Sequence, residues 1–164
     1  MIWIFAVDEL WRIGYAGEML FAIPDDLRRF KEITWGHVLL MGRKTYDALP
    51  VRPLKGRKSI VLSRNIHFSP DGVDVARSKE DALSMIEQKY AGEKIFCIGG
   101  GEVARMFLPE TNAAHITHVQ GVFTPYDTQL PDLTEKGFML KEWSDLHVYE
   151  TYRYRYAYYE RNRL

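Results

Sequence analysis

The sequence predicts an α/β protein whose central mixed, mostly parallel sheet has an antiparallel C-terminal strand and about four helices flanking both faces. Strand patterns alternate with helical patterns over the first two thirds of the chain, and strand patterns dominate the rest. Such alternation is typical of a parallel sheet covered on both faces. The 164 residues, 46% of them hydrophobic, can form a sizeable core, so we predict one domain over residues 1–164.

Apolar runs and helix signals define the elements of the first two thirds. Strands are predicted at 2–7, 37–41, 59–62, 73–76 and 94–98. Helices are predicted at 24–34, 43–49, 79–90 and 102–108, with Ser78 capping the third and Pro109 ending the fourth. Segments 8–22 and 50–56 are rich in acidic residues, glycine or proline, so a long loop and a turn are predicted there.

The last third of the chain is rich in strand signals. Strands are predicted at 114–122, 138–143 and 148–160, the last two forming a closing antiparallel pair. Tyrosine and arginine alternate from Tyr152, a pattern that fits a half-buried strand with its tyrosines turned inward. Alternating aromatic and basic residues can also stack on nucleic acid. We favour the strand because the formal net charge of the chain is zero.

Composition argues against several kinds of partner and site. Zero net charge gives no general attraction to nucleic acid or membranes, and no apolar run approaches the roughly 20 residues of a spanning helix. The N-terminus lacks a basic leader, and Cys97 is the only cysteine, so we expect a cytoplasmic protein without disulfides. The five histidines are scattered, and no metal site is predicted.

The helix predicted at 24–34 carries an acidic residue on its apolar face. At about 100° per residue, one arc contains Asp26 together with Ile23, Leu27, Phe30, Ile33 and Thr34. The opposite arc contains Asp25, Arg28, Arg29 and Glu32. Acids in a first turn after a proline often only complement the helix dipole. The alternative is that Asp26 binds a cationic or donor-rich ligand, since an unpaired carboxylate against apolar surface costs several kcal/mol.

Three junctions after predicted strands have phosphate-binding chemistry. Gly99-Gly100-Gly101 allows close approach of the backbone to an anion, although it is a weak match to a dinucleotide fingerprint. Gly42-Arg43-Lys44-Thr45 resembles the end of a P-loop but lacks the upstream glycine, so triphosphate binding is rejected. Ser63-Arg64, together with Arg77, adds cations that favour the 2′-phosphate of NADP over NAD.

Taken in order, these motifs resemble the dihydrofolate reductase family over nearly the full chain. The resemblance is carried by Ile13-Gly14, Ile23-Pro24-Asp25-Asp26-Leu27, Phe30-Lys31, Met41-Gly42-Arg43-Lys44-Thr45, Arg52-Pro53-Leu54, Gly56-Arg57, Ile60-Val61-Leu62-Ser63-Arg64, Ile98-Gly99-Gly100-Gly101 and Ile116-Thr117-His118. It implies that NADPH delivers hydride to C6 of 7,8-dihydrofolate while N5 gains a proton, which yields tetrahydrofolate for one-carbon metabolism. It further implies that antifolate inhibitors are ligands of the protein and that the protein is a monomer.

The resemblance also implies roles for individual residues. Asp26 would hydrogen-bond the pterin ring with support from Thr117, and Phe21 and Met19 would complete the catalytic region. The substrate would contact Ile4, Ala6, Leu27, Phe30, Leu49, Leu54 and Ile98. Arg57 would take the α-carboxylate of the glutamate tail, with Lys31 and Arg52 near its outer end.

The implied NADPH site extends from a mobile loop to the glycine-rich turn. Ile13 and Gly14 would belong to the loop that closes over the nicotinamide, beside Ala6 and Ile98. The remaining contacts would come from Gly42, Arg43, Lys44, Thr45, Leu62, Ser63, Arg64, Arg77, Gly99, Gly100, Gly101, Glu102 and Val103. In the family the Gly99–Gly100 bond is typically cis.

Four residues, at three places in the chain, depart from the pattern that the resemblance implies. Leu20-Phe21 stands where Pro-Trp is usual, which removes an indole N–H that usually binds water beside the substrate. Ala104 replaces a common tyrosine, and Tyr126 replaces a frequent glycine. None of these changes affects Asp26 directly, so activity is expected to survive.

Two other functions stay open at this point. A reductase of the same fold could act on another pterin or on a riboflavin precursor, although Asp26 and Arg57 together fit the ring and glutamate tail of folate. A non-catalytic protein could instead bind nucleic acid through the tyrosine- and arginine-rich segment, with strong salt dependence.

Overall fold

Twelve strands and four α-helices form within residues 1–163, the part of the chain that the computed structural model describes. The strands are β1 (Ile2–Val7), β2 (Arg12–Tyr15), β3 (Glu18–Met19), β4 (Val38–Gly42), β5 (Lys58–Leu62), β6 (Asp74–Ala76), β7 (Ile95–Gly99), β8 (Ala113–Val119), β9 (Thr128–Gln129), β10 (Phe138–Trp143), β11 (His147–Tyr149) and β12 (Tyr152–Arg161). The helices are α1 (Pro24–Thr34), α2 (Arg43–Ala48), α3 (Lys79–Lys89) and α4 (Gly101–Met106). Each helix in this part of the chain is too short or too polar to cross a membrane.

Nine strands form one large sheet in the order β10-β12-β8-β1-β7-β4-β5-β6, with β11 pairing beside β12. From β8 to β6 every neighbouring pair is parallel. The C-terminal strand β12 runs antiparallel to β8, β10 and β11. The predicted mixed, mostly parallel sheet with an antiparallel C-terminal strand is therefore confirmed.

The large sheet is packed on both faces, as β4 shows. Val38 and Leu40 belong to the apolar cluster that contains residues of α3 and α4. Leu39 and Met41 belong to the opposite cluster, which contains residues of α1 and α2. Because side chains alternate along a strand, burial on both faces requires an uninterrupted apolar run, and all four residues are fully buried.

The predicted loop at 8–22 is wrong in part. Strands β2 and β3 form a hairpin there, turning at Ala16 and Gly17, and β9 completes a small three-stranded sheet. Both turn residues have positive φ, of 52° and 81°. Such short strands contain too few residues to show an alternating pattern, which also explains why β9 was not predicted.

The C-terminal strands also differ from their predicted bounds. The strand predicted at 114–122 ends at Val119, and the one predicted at 148–160 is divided by a turn at Glu150, where φ is 52°. Within β12, Tyr154 and Tyr159 are buried while Arg153 is exposed. The segment forms the predicted strand, but both of its faces contact the core, since Tyr154 and Tyr159 belong to different apolar clusters and Arg155 is half-buried.

The fully buried carboxylate of Asp8 connects the start of the β2–β3 hairpin to the loop after β8. Its Oδ1 accepts hydrogen bonds from the backbone N–H groups of Leu10 and Arg12, both at 2.9 Å. Its Oδ2 accepts one from the N–H of Phe123 at 3.0 Å. Hydrogen bonds to an ionised acceptor are the stronger kind, so this group holds two loops in a fixed relation.

Replacing Asp8 with asparagine should lower the free energy of unfolding by about 2 kcal/mol, because one oxygen becomes an amide nitrogen that cannot accept a backbone N–H. Urea denaturation measures the loss. The matched control is Asp71→Asn, since Asp71 is exposed. Equal stability of the two variants would contradict the role given to Asp8.

Candidate active site

A cavity of about 1510 Å³ lies where the parallel strands of the large sheet end. Its walls include Ala6 near the end of β1, Gly42 at the end of β4, Leu62 at the end of β5 and Ile98 near the end of β7. Ligands of α/β proteins commonly bind at this edge of a sheet. A pocket for a single drug-sized ligand measures roughly 300–1,000 Å³, so there is room for two ligands side by side.

Asp26 projects into this cavity from the first turn of α1. Its Oδ1 accepts a hydrogen bond from the hydroxyl of Thr117 on β8 at 2.6 Å. Burial raises the pKa of the Asp26 carboxyl, while the Thr117 hydrogen bond and the positive charge of Arg29 oppose the rise. Asp25, in contrast, is exposed and pairs with Arg28 at 3.0 Å. Of the two acids in this turn, Asp26 is therefore the one available to a ligand in the cavity.

The side chains around Asp26 are mostly apolar, and one of them, Phe30, is a flat ring. Ile4, Leu27, Phe30, Leu49, Leu54 and Ile98 all line the cavity. A carboxylate can accept two parallel N–H groups, and apolar walls suit the faces of a planar ring. The arrangement matches a flat heterocycle that carries paired N–H donors on one edge.

A guanidinium lies near the far end of α1. Arg57 lines the cavity, and its Nη1 donates to the hydroxyl of Thr34 at 3.3 Å. Burial lowers the pKa of this guanidinium. Eight residues of helix separate Asp26 from Thr34, which is about 12 Å at the helical rise. The cavity thus presents a carboxylate and a guanidinium at opposite ends of one helix, as a long ligand with a cyclic head and an acidic tail requires.

Backbone without side chains forms another part of the cavity wall. A Cβ on Gly42 would lie 3.0 Å from Val103 Cγ2, and one on Gly101 would lie 2.5 Å from Thr128 Cγ2. Both residues line the cavity, as does Gly100, so a ligand can approach their backbone directly. The Gly99–Gly100 bond is cis, as the resemblance implied.

The part of the cavity lined by Gly42, Gly100 and Gly101 is its second region, and three arginines surround it. Arg64 is exposed and lines the cavity. Arg43 pairs with Asp47 at 3.4 Å and lies over the ring of Phe68. Arg77 donates to the backbone oxygens of Ser63, Asn65 and Phe68, so it holds the loop that carries Arg64.

The β2–β3 hairpin closes one side of the cavity. Ile13, Gly14 and Met19 line it, and the N–H of Ala16 donates to Asp127 at 2.9 Å. Phe21 is buried and packs edge-to-face against Phe123, with ring centroids 4.8 Å apart.

Two other departures from the family pattern lie outside the cavity lining. Ala104 is fully buried in the core, and Tyr126 is exposed beneath the guanidinium of Arg12.

Nearly all predicted site residues line this one cavity, Lys31, Lys44, Thr45, Ser63, Glu102 and Thr117 among them. Within residues 1–163, Arg52 and Gly99 are the exceptions. Arg52 faces Asp47 on α2, at 3.7 Å, and the Cα of Gly99 faces the ring of Phe5. The predicted contact of Arg52 with the outer end of the ligand is not supported by this geometry.

Sequence reasoning missed three side chains at the Asp26 end of the cavity, namely Arg29, His115 and Tyr156. Arg29 was predicted on the solvent side of the helix, which is wrong. A three-residue step from Asp26 turns about 300°, so the two side chains lie only about 60° apart. His115 could have been inferred from its position two residues before Thr117 on one strand, whereas Tyr156 depends on the pairing of β12 with β8.

Comparison with known proteins gives a consistent result. A family model described as dihydrofolate reductase matches residues 1–163. The dihydrofolate reductase of Mycobacterium leprae is 43% identical over 109 residues, which are 65% of this chain and 64% of that enzyme, just under two thirds of its length. The dihydrofolate reductase of Mycobacterium tuberculosis is 40% identical over 121 residues, 73% of this chain and 70% of that enzyme.

A solved structure is similar over almost the whole chain. Dihydrofolate reductase from Enterococcus faecalis, complexed with NADP(H) and RAB-propyl, superposes with a TM-score of 0.87 and 28% sequence identity, covering 99% of this chain and 96% of that one. The chain therefore belongs to the dihydrofolate reductase family, the NADPH-dependent oxidoreductases that reduce dihydrofolate to tetrahydrofolate.

Proposed function

We propose that this chain reduces 7,8-dihydrofolate to 5,6,7,8-tetrahydrofolate with NADPH in the cavity described above. The observation that carries the proposal is the half-buried Asp26 carboxylate, held by Thr117 in a cavity with room for two ligands. The pterin ring offers paired N–H donors to Asp26, and its faces pack against Phe30 and Ile98. Arg57 binds the glutamate tail, and antifolates with the same donor edge compete for Asp26.

The residues of the second region fit a dinucleotide phosphate. NADPH, when bound, supplies the hydride that adds to C6 of the substrate. Gly100 and Gly101 would hold its pyrophosphate through their backbone, since no side chain intervenes. Arg43, Lys44 and Arg64 would hold the remaining phosphate, and Met19 and Phe21 would exclude water from the reacting atoms.

Protonation of N5 completes the reaction, which consumes one proton for each hydride. Burial raises the pKa of the Asp26 carboxyl, so this group keeps a proton at higher pH than a free aspartate. Its hydrogen bonds to the pterin would also polarise the ring. We propose that water carries the proton to N5 and that Asp26 acts indirectly through the ring.

We further propose that the chain acts as a monomeric, single-domain enzyme of the cytoplasm. The residues proposed above for the two ligands belong to a single continuous cavity, and the proposed roles call for no residue of a second subunit. Cys97 is buried, and burial raises its thiol pKa to about 12, which suits an inert thiol in a reducing compartment.

Asp26→Asn should lower turnover about 100-fold or more at neutral pH and less in acid, because solvent then supplies the proton that the amide cannot hold. NADPH consumption with dihydrofolate, followed by absorbance across a pH series, measures the change. Asp25→Asn is the matched control, since Asp25 is exposed and outside the cavity lining. Unchanged turnover in the Asp26 variant would refute the assignment.

Arg57→Gln should raise KM for dihydrofolate about 10- to 100-fold with little change in kcat, because a charge-assisted contact remote from the reacting atoms is lost. Lys55→Gln is the control at a neighbouring exposed position. A dihydropterin without the glutamate tail should not distinguish wild type from the Arg57 variant. If wild type has the same kcat/KM for this short substrate as for dihydrofolate, the natural substrate is a different pterin.

Arg64→Gln should reduce the preference for NADPH over NADH about 10- to 100-fold in kcat/KM, since the 2′-phosphate loses a cationic partner. Steady-state kinetics with both cofactors measures the ratio. Lys141→Gln, an exposed change on β10, serves as the control. An unaltered ratio would assign the phosphate to other cations.

A further inference from the structure

Arg29 occupies an unusual position for a cation, because it faces the same end of the cavity as the carboxylate of Asp26. It lies three residues after Asp26 on α1, and both side chains line the cavity. The guanidinium of Arg29 rests on the ring of Tyr156, 4.1 Å from its centroid. Arg28, the preceding residue, is exposed and pairs with Asp25.

Tyr156 is fixed relative to Asp26 by the sheet. It pairs across the sheet with Thr117, the residue that donates its hydroxyl to Asp26. The ring of Tyr154 packs edge-on against Tyr156, with centroids 5.6 Å apart, and His147 contacts it from β11 at 5.1 Å. Strand pairing therefore fixes the position of the Tyr156 ring, which holds Arg29, relative to the Asp26–Thr117 pair.

Other ionisable groups near Asp26 do not supply a competing positive charge. From β8, His115 faces this region, and its pKa is lowered to about 4 by burial and then by Arg29 and Lys94, so it is neutral at working pH. From β12, burial raises the pKa of Tyr156, so it is also neutral. Lys31 and Arg57 lie toward the other end of α1. Glu142 shares with Arg29 a smaller pocket of about 240 Å³ on the outer side.

We propose that Arg29, held against the ring of Tyr156 and one helical turn after Asp26, is a positioning residue that favours the ionised form of Asp26. The proposal rests on the proposed function for its kinetic consequence, while the charge state of Asp26 can be measured without turnover. A cation that acts through space stabilises the ionised carboxylate and delays its protonation to lower pH. Removing it should let Asp26 keep its proton to higher pH.

The test is the titration of Asp26 in Arg29→Gln, followed by the ¹³C shift of its carboxyl carbon, which is identified by its loss in Asp26→Asn. The midpoint should move upward by about one pH unit, and the descending limb of kcat/KM against pH should move with it. Arg29→Lys keeps the charge and should restore most of the wild-type midpoint. Arg28→Gln is the matched control and should leave the midpoint unchanged.

Tyr156 provides a second, independent variant pair. Tyr156→Leu removes the ring that holds the guanidinium and should raise the midpoint, whereas Tyr156→Phe keeps the ring and should not. An unchanged midpoint in Arg29→Gln, or an equal rise in Arg28→Gln, would overturn the proposal. An unchanged midpoint in Tyr156→Leu alone would overturn the part given to the Tyr156 ring. Absence of turnover in every variant and in wild type, with the titration shift present, would reject the proposed reaction and retain the role of Arg29.

Discussion

The hydrogen bond from Thr117 to Asp26 is the interaction on which the site depends, because it joins two elements that are 91 residues apart in sequence. Thr117 is fixed on both sides, by β1 in parallel and by β12 in antiparallel pairing. Asp26 is fixed by α1, whose Phe30 and Ile33 pack on the cluster beneath β4. The helical sequence turns Asp26 toward the apolar side of α1, and packing of the core fixes the position at which its carboxylate meets Thr117.

The parallel topology explains why the two ligand regions adjoin. Parallel strands end at the same edge of a sheet, so the glycine that ends β4, the glycines after β7 and the threonine near the end of β8 lie around one opening. The carboxylate region requires burial, which raises the pKa of Asp26, whereas the phosphate region requires bare backbone and exposed cations. Both environments occur in one cavity because the sheet forms its inner wall and loops form its rim.

Sequence patterns predicted the parts of the molecule whose environment is set by neighbours along the chain. The apolar run at Val38 indicated a strand buried on both faces, and the arc of α1 indicated that Asp26 turns toward apolar surface. The β2–β3 hairpin was missed because two- to four-residue strands show no period. Tyr156 was missed since only strand pairing brings β12 beside Thr117. The contact of Arg52 with the ligand stays a prediction, and its side chain pairs with Asp47 in the structure.

The charge of the cavity could not be predicted from composition, because it depends on which residues folding brings together. The whole chain is formally neutral, yet the cavity is lined by nine cationic and four acidic side chains. Folding therefore separates charge that the sequence balances, and the resulting positive field suits two anionic ligands, a phosphate-bearing dinucleotide and a carboxylate-tailed pterin. Asp26 is an acidic residue within this electropositive cavity. Its carboxylate is the acid paired with Thr117, so the site can be electropositive toward the tails of its ligands and still present an acceptor to the ring.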